Sequence, residues 1–256
     1  MTSQSNEQLQ QMSFFEHLGE LRRRLLYSLI AVLLVTIACW ALRERLFELV
    51  RRPLQDVPDH ELQVISVLEM FMTYLKLSVT AAIFIASPWV LLQAWLFVAP
   101  GLYKHERRWG AAFVVLGALF FIGGGLFGYF LVLPLTFDYL IGMTHADIEN
   151  QFSVALYFSI VLRLLLAFGL VFETPLVMWV LAAAGIVRAQ SFARFRKYWI
   201  ILSVALGAML TDPNPITQLL MAGPLIVFFE LGILGARLLG RRRAQPQMET
   251  SAVQSG

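Results

Sequence analysis

Between Leu25 and Ala236 the sequence is a succession of long apolar runs separated by short polar segments, and that alternation restricts the fold more than any other feature. A helix of a soluble domain shows one apolar stripe. These runs are apolar all round and long enough to reach across a hydrocarbon core of ~30 Å. Composition agrees: 58% of the residues are hydrophobic and 14% charged, against about a quarter charged in a soluble domain. The fold expected is an all-α polytopic membrane protein.

Six runs are legible. Span 1 covers roughly Leu25–Leu42, span 2 Glu69–Leu96, span 3 Trp109–Leu133, span 4 Val154–Ala184, span 5 Tyr198–Thr211 and span 6 Ile216–Ala236. Ser87-Pro88 gives span 2 a bending point, Pro134 is expected to end span 3, and Gly223-Pro224 to interrupt span 6. The glycines of span 3 (Gly117, Gly123, Gly124, Gly125, Gly128) allow a neighbouring helix close approach. Span 5 is short: about 14 residues give ~21 Å, so the last pair needs a thinned bilayer or covering partner helices. The loop 43–68, with Pro53 and Pro58, has room for short surface helices, and Gly185–Lys197 reads as a basic loop.

Six spans put both termini on one side. The Lys and Arg residues choose it: fourteen fall before span 1, between spans 2 and 3, between spans 4 and 5 and after span 6, whereas Arg43, Arg45, Arg51 and Arg52 alone occupy the opposite loops. By the positive-inside rule both termini are cytoplasmic. The chain then divides into an amphipathic cytoplasmic segment lying in the interface (1–24), a six-span domain (25–237) and a disordered cytoplasmic tail (238–256). No cleavable signal peptide is expected, since the polar start runs on without a short apolar core and small-residue cleavage site. The net charge of +3 sits at span ends and is not a nucleic-acid signature.

Sequence motifs for enzymatic chemistry are missing. There is no His-Glu-x-x-His, Gly-x-Ser-x-Gly, P-loop or dinucleotide fingerprint, so the chain is read as no enzyme, with no cofactor and no metal. The single Cys39 gives no disulfide framework. Four ionisable residues lie inside apolar runs: Lys76, Arg163, Glu173 and Glu230. Each must face the bundle, a wet cavity or an interface. Lys76 and Arg163 lie near enough to the outer interface to snorkel. Glu173 sits in Phe172-Glu-Thr-Pro175, where the proline frees a carbonyl near Val171. A polar cavity and a protonated carboxyl bonded to a neighbouring helix both fit it, and the same two readings apply to Glu230. Glu16, Glu20 and Glu106 stand among arginines on the cytoplasmic side. They either form local salt bridges or accept the guanidinium groups of a cationic peptide. Broken helices with buried acids also suit a small-solute transporter, but no inverted repeat is visible.

Four motifs in order resemble the TatC family, the core subunit of the twin-arginine protein translocase. They are His17-Leu-Gly-Glu-Leu-Arg-Arg-Arg-Leu25, the island Gln93-Ala-Trp-Leu-Phe-Val-Ala-Pro-Gly-Leu-Tyr-Lys-His-Glu-Arg-Arg108, Phe168-Gly-Leu-Val-Phe-Glu-Thr-Pro175, and the short final pair of spans. The resemblance covers residues 14–238. It implies a receptor for twin-arginine signal peptides on folded cargo, seated in the bacterial inner membrane. It also implies TatA- and TatB-like single-span partners, further TatC copies, and transport driven by the proton-motive force. Carried over by position, Glu20 and Glu106 would contact the signal-peptide arginines, with Arg22, Phe97 and Arg108 shaping that site. Glu173 would be the polar residue of a membrane pocket, Pro53 the functional proline of the first outer loop, and Thr211 and Gln218 the residues that dock partner helices. One departure stands out: the last turn reads Thr211-Asp-Pro-Asn214, so the usual acid is displaced to Asp212.

Overall fold

The computed structural model describes residues 14–55, 62–99, 110–142, 152–210 and 215–253. Nearly all of them are helical: α1 Phe14–Ala41, α2 Arg43–Gln55, α3 Glu69–Val98, α4 Gly110–Phe127, α5 Leu133–Gly142, α6 Val154–Phe172, α7 Thr174–Ala183, α8 Ala189–Leu210 and α9 Pro215–Val253. Two short strands, β1 Leu62–Gln63 and β2 Phe152–Ser153, pair in parallel. Four stretches are long and apolar enough to cross a membrane: Glu16–Ala41, Glu69–Val98, Gly110–Tyr139 and Val154–Ala183. Their large apolar side chains point outward as often as inward, with Leu25, Ile37, Phe130 and Leu170 all well exposed. That surface requires lipid as its solvent.

Several expectations are corrected. The amphipathic segment before span 1 is no separate interfacial helix, because α1 runs unbroken from Phe14 to Ala41. Good helix formers (Glu20, Leu21, Arg22, Arg23, Arg24) carry the backbone through the charged stretch into the apolar one. Pro134 does not end span 3. A π-helical turn, Gly128–Val132, precedes it, and the Leu133 N–H bonds back five residues to the Gly128 carbonyl. The wider turn absorbs the proline, so the helix continues through Gly142. The basic segment after Gly185 is helical from Ala189, which makes α8 22 residues long. Gly223-Pro224 leaves α9 unbroken, and its backbone stays helical through the tail to Val253. The last two helices are therefore not short, although the apolar part of α8 is.

A central slab forms where α6 packs against α3 and α4, with α1 laid on α3. Tyr157, Phe158, Leu164, Phe168 and Leu77 are fully buried there. Gly124 lets α4 meet α6 closely, since a Cβ at that position would strike the Phe168 carbonyl. A second cluster, Met178, Phe229 and Ile233 with Trp199, joins α7, α8 and α9.

The end of the bundle carrying α2 is tied by polar side chains. Glu69, first residue of α3, accepts from Ile65 N–H at 2.6 Å, Ser66 N–H at 3.0 Å, Ser153 Oγ at 2.6 Å and Ala155 N–H at 2.7 Å. One carboxylate thus fastens the approach to α3 onto the start of α6. Pro53 lies in the last turn of α2. Having no N–H, it leaves the Leu49 carbonyl without its helical donor. Tyr129 supplies one instead, its hydroxyl donating to Leu49 O at 2.5 Å, and the Tyr157 hydroxyl donates to Val50 O at 2.9 Å. The Tyr129→Phe variant is expected to loosen α2 by about 1 kcal/mol, the usual worth of one such bond. Faster hydrogen exchange confined to Arg43–Gln55 would show it; unchanged exchange would mean that Leu49 O gains nothing from Tyr129.

Candidate functional site

The N-terminal third of α1 and the C-terminal end of α3 form one polar junction. Glu20 is four residues before Arg24, so both project from the same face of α1. Arg24 Nη2 donates to Glu20 Oε1 at 3.2 Å, and Arg24 Nη1 donates to Gln93 Oε1 on α3 at 3.1 Å. Only 10% of the Glu20 side chain and 21% of the Arg24 side chain are exposed. Gln93 is buried, and Arg24 Nε has no hydrogen-bond partner among the described residues. One turn further along, the rings of His17 and Phe97 stack at 4.3 Å with 18° between their planes. This junction therefore sets a largely buried carboxylate about one helical turn from the His17–Phe97 stack. Here the carboxylate accepts one N–H of the Arg24 guanidinium, whose other arm goes to Gln93, and its second oxygen is a further acceptor for a guanidinium.

Of the remaining residues expected at this site, Arg22 is on α1 and exposed. Glu106 and Arg108 lie outside the described residues, as do Thr211 and the Asp212 of the last turn. Sequence reasoning missed Arg24 and Gln93 as site residues. The i, i+4 spacing of Glu20 and Arg24 was the available signal for the first. Gln93, a polar residue in the last turn of span 2, carried only a weak one.

Glu173 is a second centre. It interrupts the helix between α6 and α7, where its N–H reaches the Leu170 carbonyl at 3.2 Å and its own carbonyl accepts from Val177 N–H at 2.9 Å. Pro175 in the first turn of α7 accounts for the break. The Glu173 side chain is 8% exposed, and Oε1 has no hydrogen-bond partner among the described residues. It faces α4 at Gly117, where a Cβ would lie 3.4 Å from Oε1 and 2.9 Å from Leu91 Cδ1. Glycine there leaves room for the carboxyl between α3, α4 and α7.

The third region is the α8–α9 pair. Gln218 Nε2 donates to the Val204 carbonyl at 2.9 Å, Trp199 Nε1 to the Leu225 carbonyl at 3.0 Å, and Arg196 grips Glu230 with two N–H groups, Nη2 to Oε2 at 2.8 Å. Of the two readings open for Glu230, the structure gives a contact to a neighbouring helix, made to a guanidinium. Gln218 is engaged within the chain as well.

The family model for the Sec-independent protein translocase protein TatC matches residues 16–224. That range takes in α1 from Glu16, the α1–α3 junction, Glu173, α8 and the start of α9. The chain belongs to the TatC family. A TatC protein from Desulforapulum autotrophicum is 37% identical over 240 residues, covering 93% of this chain and 89% of that protein. One from Aquifex aeolicus is 38% identical over 239 residues, covering 92% and 99%. A crystal structure described as the twin-arginine translocase receptor TatC superposes with a TM-score of 0.81 at 38% identity, over 88% of this chain and all of that one. Family membership makes the chain a membrane-embedded translocase component of the bacterial inner membrane, and TatC relatives are named for transport rather than for enzymatic activity.

Proposed function

We propose that this TatC-family chain is the receptor for twin-arginine signal peptides and the core of a translocase that exports folded proteins under the proton-motive force. Glu20 and Glu106 accept the two signal-peptide guanidiniums, and Arg22, Phe97 and Arg108 shape the site around them. The observation that carries the reading is the α1–α3 junction: Glu20 is largely buried and bonded to the Arg24 guanidinium, which reaches on to Gln93 of α3, while His17 of α1 stacks on Phe97. Ala99 ends the described part of that segment seven residues before Glu106, so chain length alone keeps the Glu106 backbone within about 25 Å of Ala99. In this reading α8 and α9 complete six spans, and both termini are cytoplasmic, as the Lys and Arg distribution requires. Glu173 receives a polar group of an inserting signal hairpin or partner helix. Pro53 keeps the first outer loop docked through Tyr129. Thr211 and Gln218 mark the edge where TatA- and TatB-like helices, and further TatC copies, assemble.

Photocrosslinking tests the receptor assignment directly. A photoreactive residue at position 98, next to Phe97 and leaving both carboxylates in place, is expected to trap a twin-arginine signal peptide and not its twin-lysine counterpart, because a lysine ammonium cannot make the bidentate contact. Equal trapping of both would remove the two-carboxylate site. Labelling of single cysteines introduced at the chain ends, from either side of sealed vesicles, tests the topology.

A further inference from the structure

The two cations that the family motifs leave unexplained come together in the fold. Lys76 on α3 and Arg163 on α6 line one cleft of about 470 Å³ on the outside of the slab, and Lys76 Nζ donates to Ser159 Oγ at 3.2 Å across it. Leu75, Val79 and Leu166 form apolar walls. Both cationic side chains are exposed, and neither forms an ion pair with a carboxylate among the described residues. A lone cation inside an apolar span is costly; two in one cleft repel each other as well. Such a pair calls for an anion.

Depth narrows the choice. Lys76 is seven residues from the start of α3 and Arg163 nine from the start of α6, which puts them ~10 and ~14 Å along their helices. The spans Glu69–Val98 and Val154–Ala183 have 30 residues each, so they measure ~45 Å and overhang a ~30 Å core by ~7 Å at each end. Both cations then lie within a few Å of the boundary between acyl chains and headgroups, on the side of the β1–β2 ladder. The cleft is also short: it spans residues 75–80 and 159–166, about two turns of each helix. A partner helix would run the whole span. A headgroup and the first methylenes of its chains fit within two turns.

We propose that this cleft is a binding site for one anionic glycerophospholipid, its phosphate held between Lys76 and Arg163 and its proximal acyl carbons against Leu75, Val79 and Leu166. The site is independent of the signal-peptide reading.

Native mass spectrometry of the full-length protein, in detergent micelles containing equal phosphatidylglycerol and acyl-matched phosphatidylcholine, tests it. Two cations near a headgroup favour the anionic lipid by about 30-fold, so the wild-type protein should retain one phosphatidylglycerol with that preference. Lys76→Gln and Arg163→Gln should each lose about fivefold, and the double variant the whole preference. The charge-conserving exchange Lys76→Arg with Arg163→Lys should keep it. If the double variant is not recovered folded, the single variants carry the test. No preference in the wild type, or wild-type preference in the neutralised variants, overturns the proposal. So does a photocrosslink from position 166 in native membranes that traps a polypeptide in place of lipid, because the cleft would then belong to an acidic partner helix.

Discussion

Replacing Glu20 and Glu106 together with alanine is expected to abolish export of a twin-arginine reporter while the protein still inserts in the membrane. A charge-assisted hydrogen bond is worth about 1.5–3 kcal/mol, so each single substitution should weaken signal-peptide binding by about 10- to 100-fold. Glu20 has a second duty, because Arg24 bonds both to it and to Gln93. Glu20→Ala leaves a half-buried guanidinium with one partner fewer, so a fall in export alone would not separate binding from packing. The comparison needed is thermal unfolding beside peptide affinity. Removing one partner of a pair only 10% and 21% exposed costs the fold about 3 kcal/mol or more, so the decisive variant is Glu20→Gln, which keeps an acceptor for Arg24: its peptide affinity should fall at least tenfold with little change in thermal unfolding. Normal export by the double variant would sink the assignment.

The second large effect is expected at Glu173. In the Glu173→Ala variant, crosslinks between a signal peptide and the cytoplasmic face should survive. Crosslinks reporting deep insertion or contact with a partner helix should drop about tenfold, as for the loss of one buried polar partner. Glu173→Gln keeps a polar group of the same length and should retain most of the deep contact. Gly117→Val offers an independent approach: its side chain would press on Leu91 and on the space around Glu173 Oε1. Deep crosslinks unchanged in Glu173→Ala would exclude a role for the carboxyl in receiving the inserting segment.

Much of this architecture was legible because lipid imposes a simple rule on sequence. Long all-round apolar runs had to become helices, and the first four expected spans each coincide with a helical stretch long and apolar enough to cross a membrane. The glycines of span 3 gave the α4–α6 approach for the same reason, since Gly124 sits against backbone. The misses share a cause too. Pro134 and Gly223-Pro224 were read as stops by local propensity, yet in a packed helix a π turn or a neighbour's donor takes up the lost bond, and the chain gains more by staying helical. The polar cap at Glu69 was invisible because its partners, Ser153 and Ala155, are more than eighty residues away. Tyr129 and Leu49 are likewise far apart in sequence. Of the candidate site, the sequence motif named Glu20 and Phe97. It could not say that Arg24 links Glu20 to Gln93, a fact that depends on how α1 leans on α3.

The unbroken course of α1 has a mechanical meaning. From Glu20 to Ala41 it is a rod ~32 Å long with no proline, and one residue, Leu42, separates it from α2. Along that length it rests almost wholly on α3. Held along one side by α3 and joined through a single residue to α2, which Tyr129 and Tyr157 tie down in turn, α1 acts as a ruler that fixes the separation between the Glu20 junction and the start of α2.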